Sequence, residues 1–248
     1  MSGFKRKHKV ILVFLFIIIA FILMLAILWR QGIFIPNEFQ ANNYSVKGID
    51  VSAYQGDINW PVIEEQAIDF AFIKATEGSS FVDEEFSDNW LEANKTSLRV
   101  GAYHFFSYDS SGKTQAENFI NTVPKKNAAL PPVIDVEFYG NNYKNPPKRS
   151  YVEQELRTMI ELLEEHYGQR VILYATQKAY NLYIKNGFKD TDIWIRDVFT
   201  NPSLADHRHW IFWQYTDKEK LAGYNGEEKF IDMNVFHGSS LEFEAYGK

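Results

Sequence analysis

The chain has 248 residues, 46% hydrophobic and 16% aromatic, which is enough for a sizeable core in one domain or at most two. It contains no cysteine, which excludes disulfide frameworks, thiol nucleophiles, cysteine-ligated zinc and iron–sulfur clusters. The net charge of -6 divides unevenly: residues 1–30 carry Lys5, Arg6, Lys7, Lys9 and Arg30 and no acid, leaving 21 basic and 32 acidic side chains, a net of -11, in the other 218 residues. A body that acidic suits phosphate backbones poorly, and no nucleic-acid partner is expected.

Val10 to Trp29 is free of charged side chains over 20 residues. As a helix rising ~1.5 Å per residue it would span about 30 Å, the thickness of a hydrocarbon core. Its end, Met24-Leu25-Ala26-Ile27-Leu28-Trp29, offers no small-x-small cleavage site, so it reads as a signal anchor rather than a removed signal peptide. The basic cluster before it should stay cytoplasmic, with the body delivered outside. Residues 30–46 read as a stalk: Asn37, Gln40, Asn42, Asn43 and Ser45 are polar and Pro36 interrupts any helix. Fully extended, such a segment would reach about 50 Å. The expected organisation is a cytoplasmic basic tail over 1–9, a transmembrane signal anchor over 10–29, a stalk over 30–46, a folded body over 47–238, and a tail over 239–248 with no assigned role.

Along the body, strand-like runs alternate with helical ones. Strands are predicted at 46–54, 70–76, 99–108, 132–139 and 170–176, with helices at 60–68, 83–95, 113–121, 150–166 and 178–185 between and after them. Three further strands, 193–198, 210–216 and 230–236, follow with short Gly-, Pro- and Asp-rich connections. The order argues for an α/β class fold with βα units around a parallel sheet: a compact TIM-like β/α barrel of eight strands and about five helices, smaller than the ~250-residue standard.

In such a barrel, chemistry belongs at the carboxyl ends of the strands. The polar residues there are Asp50, Glu77, His104, Asp135, Glu137, Tyr174, Trp194, Arg196, Gln214, Asp232 and Asn234. In Val133-Ile134-Asp135-Val136-Glu137 the acids alternate with apolar residues, which places both on one face. Acids inside a barrel are costly unless paired, hydrated or used. Structural salt bridges are one explanation. Asp50 and Asp232, on the first and last strands that adjoin at closure, favour a site instead. Clustered carboxylates with nearby Trp and Tyr fit glycoside hydrolysis, where one acid protonates the leaving oxygen and another stabilises or attacks the sugar carbon. They would also suit a divalent cation. The close pair His207 and His209 has an ordinary surface explanation, and no metal or cofactor is expected.

Six motifs then occur in order: Gly48-Ile49-Asp50-Val51-Ser52, Phe72-Ile73-Lys74-Ala75-Thr76-Glu77-Gly78, Gly101-Ala102-Tyr103-His104-Phe105, Asp135-Val136-Glu137, Trp213-Gln214-Tyr215 and Asp232-Met233-Asn234-Val235-Phe236. Together they resemble glycoside hydrolase family 25, lysozymes acting as N-acetylmuramidases, over nearly the whole body. The resemblance implies cleavage of the β-1,4 bond from N-acetylmuramic acid to N-acetylglucosamine in bacterial peptidoglycan glycan strands. It implies Glu137 as general acid/base, Asp135 as its partner carboxylate, and Asp50 and Asp232 completing the floor. It leaves retention against inversion open. Tyr103, Tyr174, Trp194 and Gln214 are candidates for the sugar groove or for barrel packing; Glu77 could contact sugar or brace the sheet; His104 reads as a core residue. One departure stands out: Trp194 is followed by Ile195-Arg196-Asp197-Val198 where the family has a small residue and an aromatic, so Arg196 could pair with a site acid or meet a substrate carboxylate. The expectation is a single-pass bacterial membrane protein with its catalytic domain outside. The alternatives are an inactive, membrane-anchored peptidoglycan-binding module and a metal-dependent wall hydrolase.

Overall fold

The computed structural model describes residues 2–248, with side chains from Lys7 onward; Met1 and the side chains of Lys5 and Arg6 lie outside the described residues. Two helices precede the body. The first, α1 (Ser2–Arg30), is apolar and solvent-facing along most of its length, with mean hydropathy 3.6 over its apolar window within Lys7–Arg30. The second, α2 (Glu38–Ala41), is a single turn.

The strands follow as β1 (Lys47–Val51), β2 (Phe70–Glu77), β3 (Phe81–Val82), β4 (Arg99–Phe105), β5 (Val133–Val136), β6 (Ile172–Thr176), β7 (Asp192–Arg196), β8 (Phe212–Glu219) and β9 (Ile231–Phe236). All but the two-residue β3 close into an eight-stranded barrel, with β1 hydrogen-bonded to β2 on one side and to β9 on the other. The five crossovers from β1 to β7 carry α3 (Trp60–Glu64), α4 (Phe86–Ala93), α5 (Gly112–Thr122), α6 (Arg149–Tyr167) and α7 (Gln177–Ala179), so the five expected helices are present. The longest, α6, buries Val152, Leu156, Met159, Ile160 and Leu163 on one stripe and stops at Gly168 in the left-handed conformation. A last helix, α8 (Ser240–Ala245), is fixed by a reciprocal cap between Ser239 and Glu242.

The sheet is not wholly parallel, as the alternating pattern had suggested. Strand β9 runs antiparallel to both β8 and β1, because no helix separates it from β8 and only a reversal can join neighbours over so short a connection. Two end segments also differ from expectation. The presumed stalk is not extended: Ile35, Asn37 and Ala41 are buried, and Asn37 Nδ2 donates to the carbonyls of Asp197 (2.8 Å) and Tyr215 (3.2 Å). The 239–248 tail folds as α8 against the barrel. Phe243 is buried against Phe70 and Phe236, the Arg99 guanidinium donates to the carbonyls of Phe243 and Tyr246, and Tyr246 Oη donates to Asp192 (2.7 Å).

Alternation divides each barrel strand between two cores. Outward residues such as Ile49, Ile73, Ile134, Leu173 and Ile195 pack against the helices. Inward residues Phe70, Phe72, Val133, Ile172, Trp194, Phe212 and Phe236 fill the barrel from its closed end. Two glycines make room for this filling. Gly48 lies opposite Phe70 in register and Gly101 opposite Phe72, and a Cβ would stand 2.3 Å and 2.5 Å from the respective rings. Both Gly48→Ala and Gly101→Ala should therefore overpack the interior at a cost of about 1–3 kcal/mol. Thermal unfolding of the full chain is expected to shift down by roughly 3–10 °C for each, while an outward Ile49→Val shifts it less.

Candidate active site

The inward positions change character toward the open end. On β2 the series runs Phe70, Phe72, Lys74; on β5 and its extension Val133, Asp135, Glu137; on β8 Phe212, Gln214; and on the reversed β9, read backwards, Phe236, Asn234, Asp232. Because β9 is reversed, Asp232 sits at its start yet reaches the same end as the carboxyl termini of the parallel strands. It faces Asp50 directly in the β1–β9 register. Strand β5 ends at Val136, so Glu137 lies one residue past it, at the rim.

Nine of the ten side chains put forward as catalytic or sugar-contacting line one cavity of about 460 Å³: Asp50, Asp135, Glu137, Asp232, Tyr103, Tyr174, Trp194, Arg196 and Gln214. Glu77 does not. It binds Lys74 Nζ at 2.9 Å and faces a neighbouring groove edged by Gly78, Phe81 and Glu85. His104 is fully buried outside the cavity, its Nε2 bonded to Gln115 Oε1 (3.0 Å) and its Nδ1 to Thr76 Oγ1 (2.7 Å). Burial lowers its pKa to about 4, so it is a neutral packing residue.

A hydrogen-bonded chain crosses the cavity floor. Trp194 Nε1 donates to Asn234 Oδ1 (2.8 Å), and Asn234 Nδ2 donates to Asp50 Oδ2 (2.7 Å). Gln214 Nε2 donates to both Asp50 Oδ2 (2.9 Å) and Asp232 Oδ2 (3.2 Å). Tyr174 Oη lies 3.0 Å from Gln214 Oε1 and 3.4 Å from Glu137 Oε1 and can donate to either. Trp194 is itself buried, stacked on Phe72 at 4.7 Å, so the ring that lines the cavity is also part of the packing beneath it.

The aromatic filling below buries the acids from that side, and the direction of their pKa shifts follows. Burial raises Asp135 well above the usual carboxylate range, and the charges of Glu137 and Asp50 push it further. Burial likewise raises Glu137, opposed by the Arg196 guanidinium. Asp232 is raised by burial and by Asp50; Asp50 is raised less, because Asn234 and Gln214 donate to it. Each of the four acids thus binds a proton more tightly than a free carboxylate does. Among the described residues, Asp135 Oδ1 is buried without a hydrogen-bond partner.

Two participants were not singled out from the sequence. Lys74 lines the cavity with its ammonium 5.3 Å from the Phe105 and Phe81 rings, and its inward parity on β2 was the available signal. Asp217 accepts from Arg196 Nη2 at 2.8 Å. It had no signal, because register shifts on either side of Thr216 break the alternation from which inward residues are read.

Residues 49–224 match the family model described as glycosyl hydrolases family 25. This chain belongs to glycosyl hydrolase family 25. It is a glycoside hydrolase. The solved family 25 glycosyl hydrolase from Bacillus anthracis is 65% identical, with a TM-score of 0.80 over 84% of this chain and 95% of that one. Lysozyme M1 from Streptomyces globisporus is 33% identical over 83% of this chain and 72% of that protein. The N,O-diacetylmuramidase of Chalaropsis sp is 31% identical over 77% and 96%.

The buried acids of this family 25 site should weaken the fold they occupy. A carboxyl whose folded pKa exceeds its unfolded value loses stability as pH rises from about 4 through the folded pKa. Asp135→Asn removes that ionisation. It should raise the unfolding midpoint at pH 7 by about 2–6 °C, with the gain disappearing toward pH 4, as followed by calorimetry across that range.

Proposed function

We propose that the chain is a peptidoglycan hydrolase that cleaves the β-1,4 bond between N-acetylmuramic acid and N-acetylglucosamine, held at the outer face of a bacterial membrane by α1. The observation that carries the chemistry is the convergence of Asp50, Asp135, Glu137 and Asp232 on one cavity. The names of the lysozyme and muramidase relatives support the substrate.

In this reading Glu137, at the rim, delivers the proton to the leaving glycosidic oxygen and later takes one from water. Burial raises its pKa and so favours the protonated form a general acid needs, while Arg196 and the Tyr174 hydroxyl oppose that rise. Asp135, with its unpartnered Oδ1, stabilises positive charge developing at the sugar carbon or holds a substrate N–H. Gln214 bridges Asp50 and Asp232, Asn234 donates to Asp50, and Tyr174 is fixed through Gln214. Tyr103 offers a ring and a neutral phenol to the sugar, its hydroxyl pushed upward by burial and the surrounding acids.

The anchor reading rests on the length and hydropathy of α1, on its exposure, and on the basic residues ahead of its apolar run. Membrane fractionation of tagged full-length protein, with protease access from outside the cell, checks both the anchor and the side on which the body lies.

Digests of purified peptidoglycan by the detergent-solubilised full chain should carry new N-acetylmuramic acid reducing ends by mass spectrometry. Glu137→Gln should lower turnover by about 10²–10⁴-fold; an unchanged rate would remove Glu137 from its role. Arg196→Gln takes away the charge that holds Glu137 down. The alkaline limb of the kcat/KM profile should then move to higher pH, whereas a merely structural arginine would leave the limb in place.

A further inference from the structure

The exit of α1 and the mouth of the cleft are built from the same residues. The carboxyl end of α1 meets the body, where Leu25, Leu28 and Trp29 are half-buried. The Trp29 ring packs on Phe199 at 5.2 Å, just past β7, with the Lys218 ammonium 5.7 Å above it. Gly32 follows with φ +64, and a Cβ there would stand 2.5 Å from the Lys218 carbonyl and 2.6 Å from the Phe230 ring. Lys220 Nζ donates to the Gln31 carbonyl at 2.7 Å, and Asn37 closes the attachment on Asp197 and Tyr215. Lys218 and Phe230 both line the catalytic cavity.

These fastenings all lie at the carboxyl ends of β7 and β8 and on the connection to β9, the end that holds the acids. The opposite end is closed by α8. A free stalk of 17 residues could have swung the barrel about 50 Å from its anchor in any orientation. Here the chain is pinned within seven residues of the helix end. Around the pin, Ile33 (63%), Phe34 (40%) and Phe199 (58%) expose large apolar side chains next to Trp29, the composition of a bilayer interface. Charge does not explain this patch: Lys218, Lys220 and Lys229 surround Phe230, but Asp217, Glu219, Glu227 and Glu228 offset them.

We propose that the barrel is seated mouth-down, its catalytic end against the outer leaflet with Ile33, Phe34 and Phe199 in the headgroup layer, so that the cleft takes glycan lying at the membrane surface rather than strands farther out in the wall. This rests on the reading of α1 as a membrane anchor and deepens the proposed activity. It names apolar insertion as the contact, so seating requires no anionic lipid.

The chain lacks cysteine, which makes single-cysteine labelling clean. Full-length Phe34→Cys, Phe199→Cys, Leu241→Cys and Ile18→Cys are labelled with a nitrobenzoxadiazole probe in phosphatidylcholine vesicles. Positions 34 and 199 should show blue-shifted emission quenched about twofold by headgroup spin-labelled lipid, position 241 on α8 should stay water-like, and position 18 should be quenched by acyl-chain labels. Water-like emission at 34 and 199 with quenching at 18 would overturn the seating and leave the anchor standing. Water-like emission at 18 would overturn the anchor, and the seating with it. Quenching at 241 as well would mean indiscriminate adsorption and also overturn the proposal. For the substrate, Phe34→Asp/Phe199→Asp should lower turnover of glycan chains tethered to the same vesicles by about tenfold and leave soluble glycan oligomers within about twofold. Equal turnover of both by the variant and the parent would overturn the choice of membrane-surface glycan.

Discussion

The seam between β1 and β9 is the constraint from which the site follows. Closing the barrel brings the first strand against the last, and the reversal of β9 sets Asp232 opposite Asp50 at the open end. Were β9 parallel, its second residue would lie at the closed end among phenylalanines. Two acids face to face in a half-dry setting repel, and the barrel closes around them because Gln214 bridges both carboxylates and Asn234 donates to one. Those amides are held in turn by Tyr174 and Trp194 from β6 and β7. The polar network therefore ties the seam to the far wall, and its satisfaction is a condition of closure as well as of chemistry.

The alternation that was readable in the sequence is what made much of this legible. Asp135 and Glu137 share a parity, as do Phe70, Phe72 and Lys74, and that parity alone separates the barrel interior from the helix-facing core. The strand-to-strand spacing gave the five crossovers. What escaped were features that period two does not encode. The direction of β9 depends on the absence of a crossover helix, and Asp217 sits where β8 slips register twice. The 30–46 segment looked like a free stalk because its side chains are mostly polar, yet Asn37 is buried by capturing two carbonyls from other parts of the chain. Residues 239–248 were unreadable for a similar reason: α8 matters through Phe243, whose partners Phe70 and Phe236 are distant in sequence.

The filling of the barrel also sets the electrostatics above it. Packed phenylalanines and Trp194 fill the barrel beneath the acids, and burial is the largest influence on all four carboxyls. A fold selected only for stability would place apolar or amide side chains at these positions. Arg196 moderates the strain from one side. Its partner Asp217 holds the guanidinium at the cavity wall, where its charge is felt by Glu137 and Asp232.

The two ends of the barrel are thereby assigned different work. The closed end concentrates apolar contacts: Phe70, Phe212, Phe236 and Phe243 stack edge to face, and Arg99 secures α8 across it. Burying each such ring is worth about 1.5–3 kcal/mol, a reserve that offsets acids held out of water at the other end. The open end cannot be covered in the same way, since a polymer must enter it. Its walls are instead braced from outside by the chain arriving from α1, with Gly32 against Phe230 and Lys218 and Asn37 across the ends of β7 and β8. The segment after α1 thus packs directly on residues that line the cleft. The same packing joins the end of α1 to the acid-bearing end of the barrel.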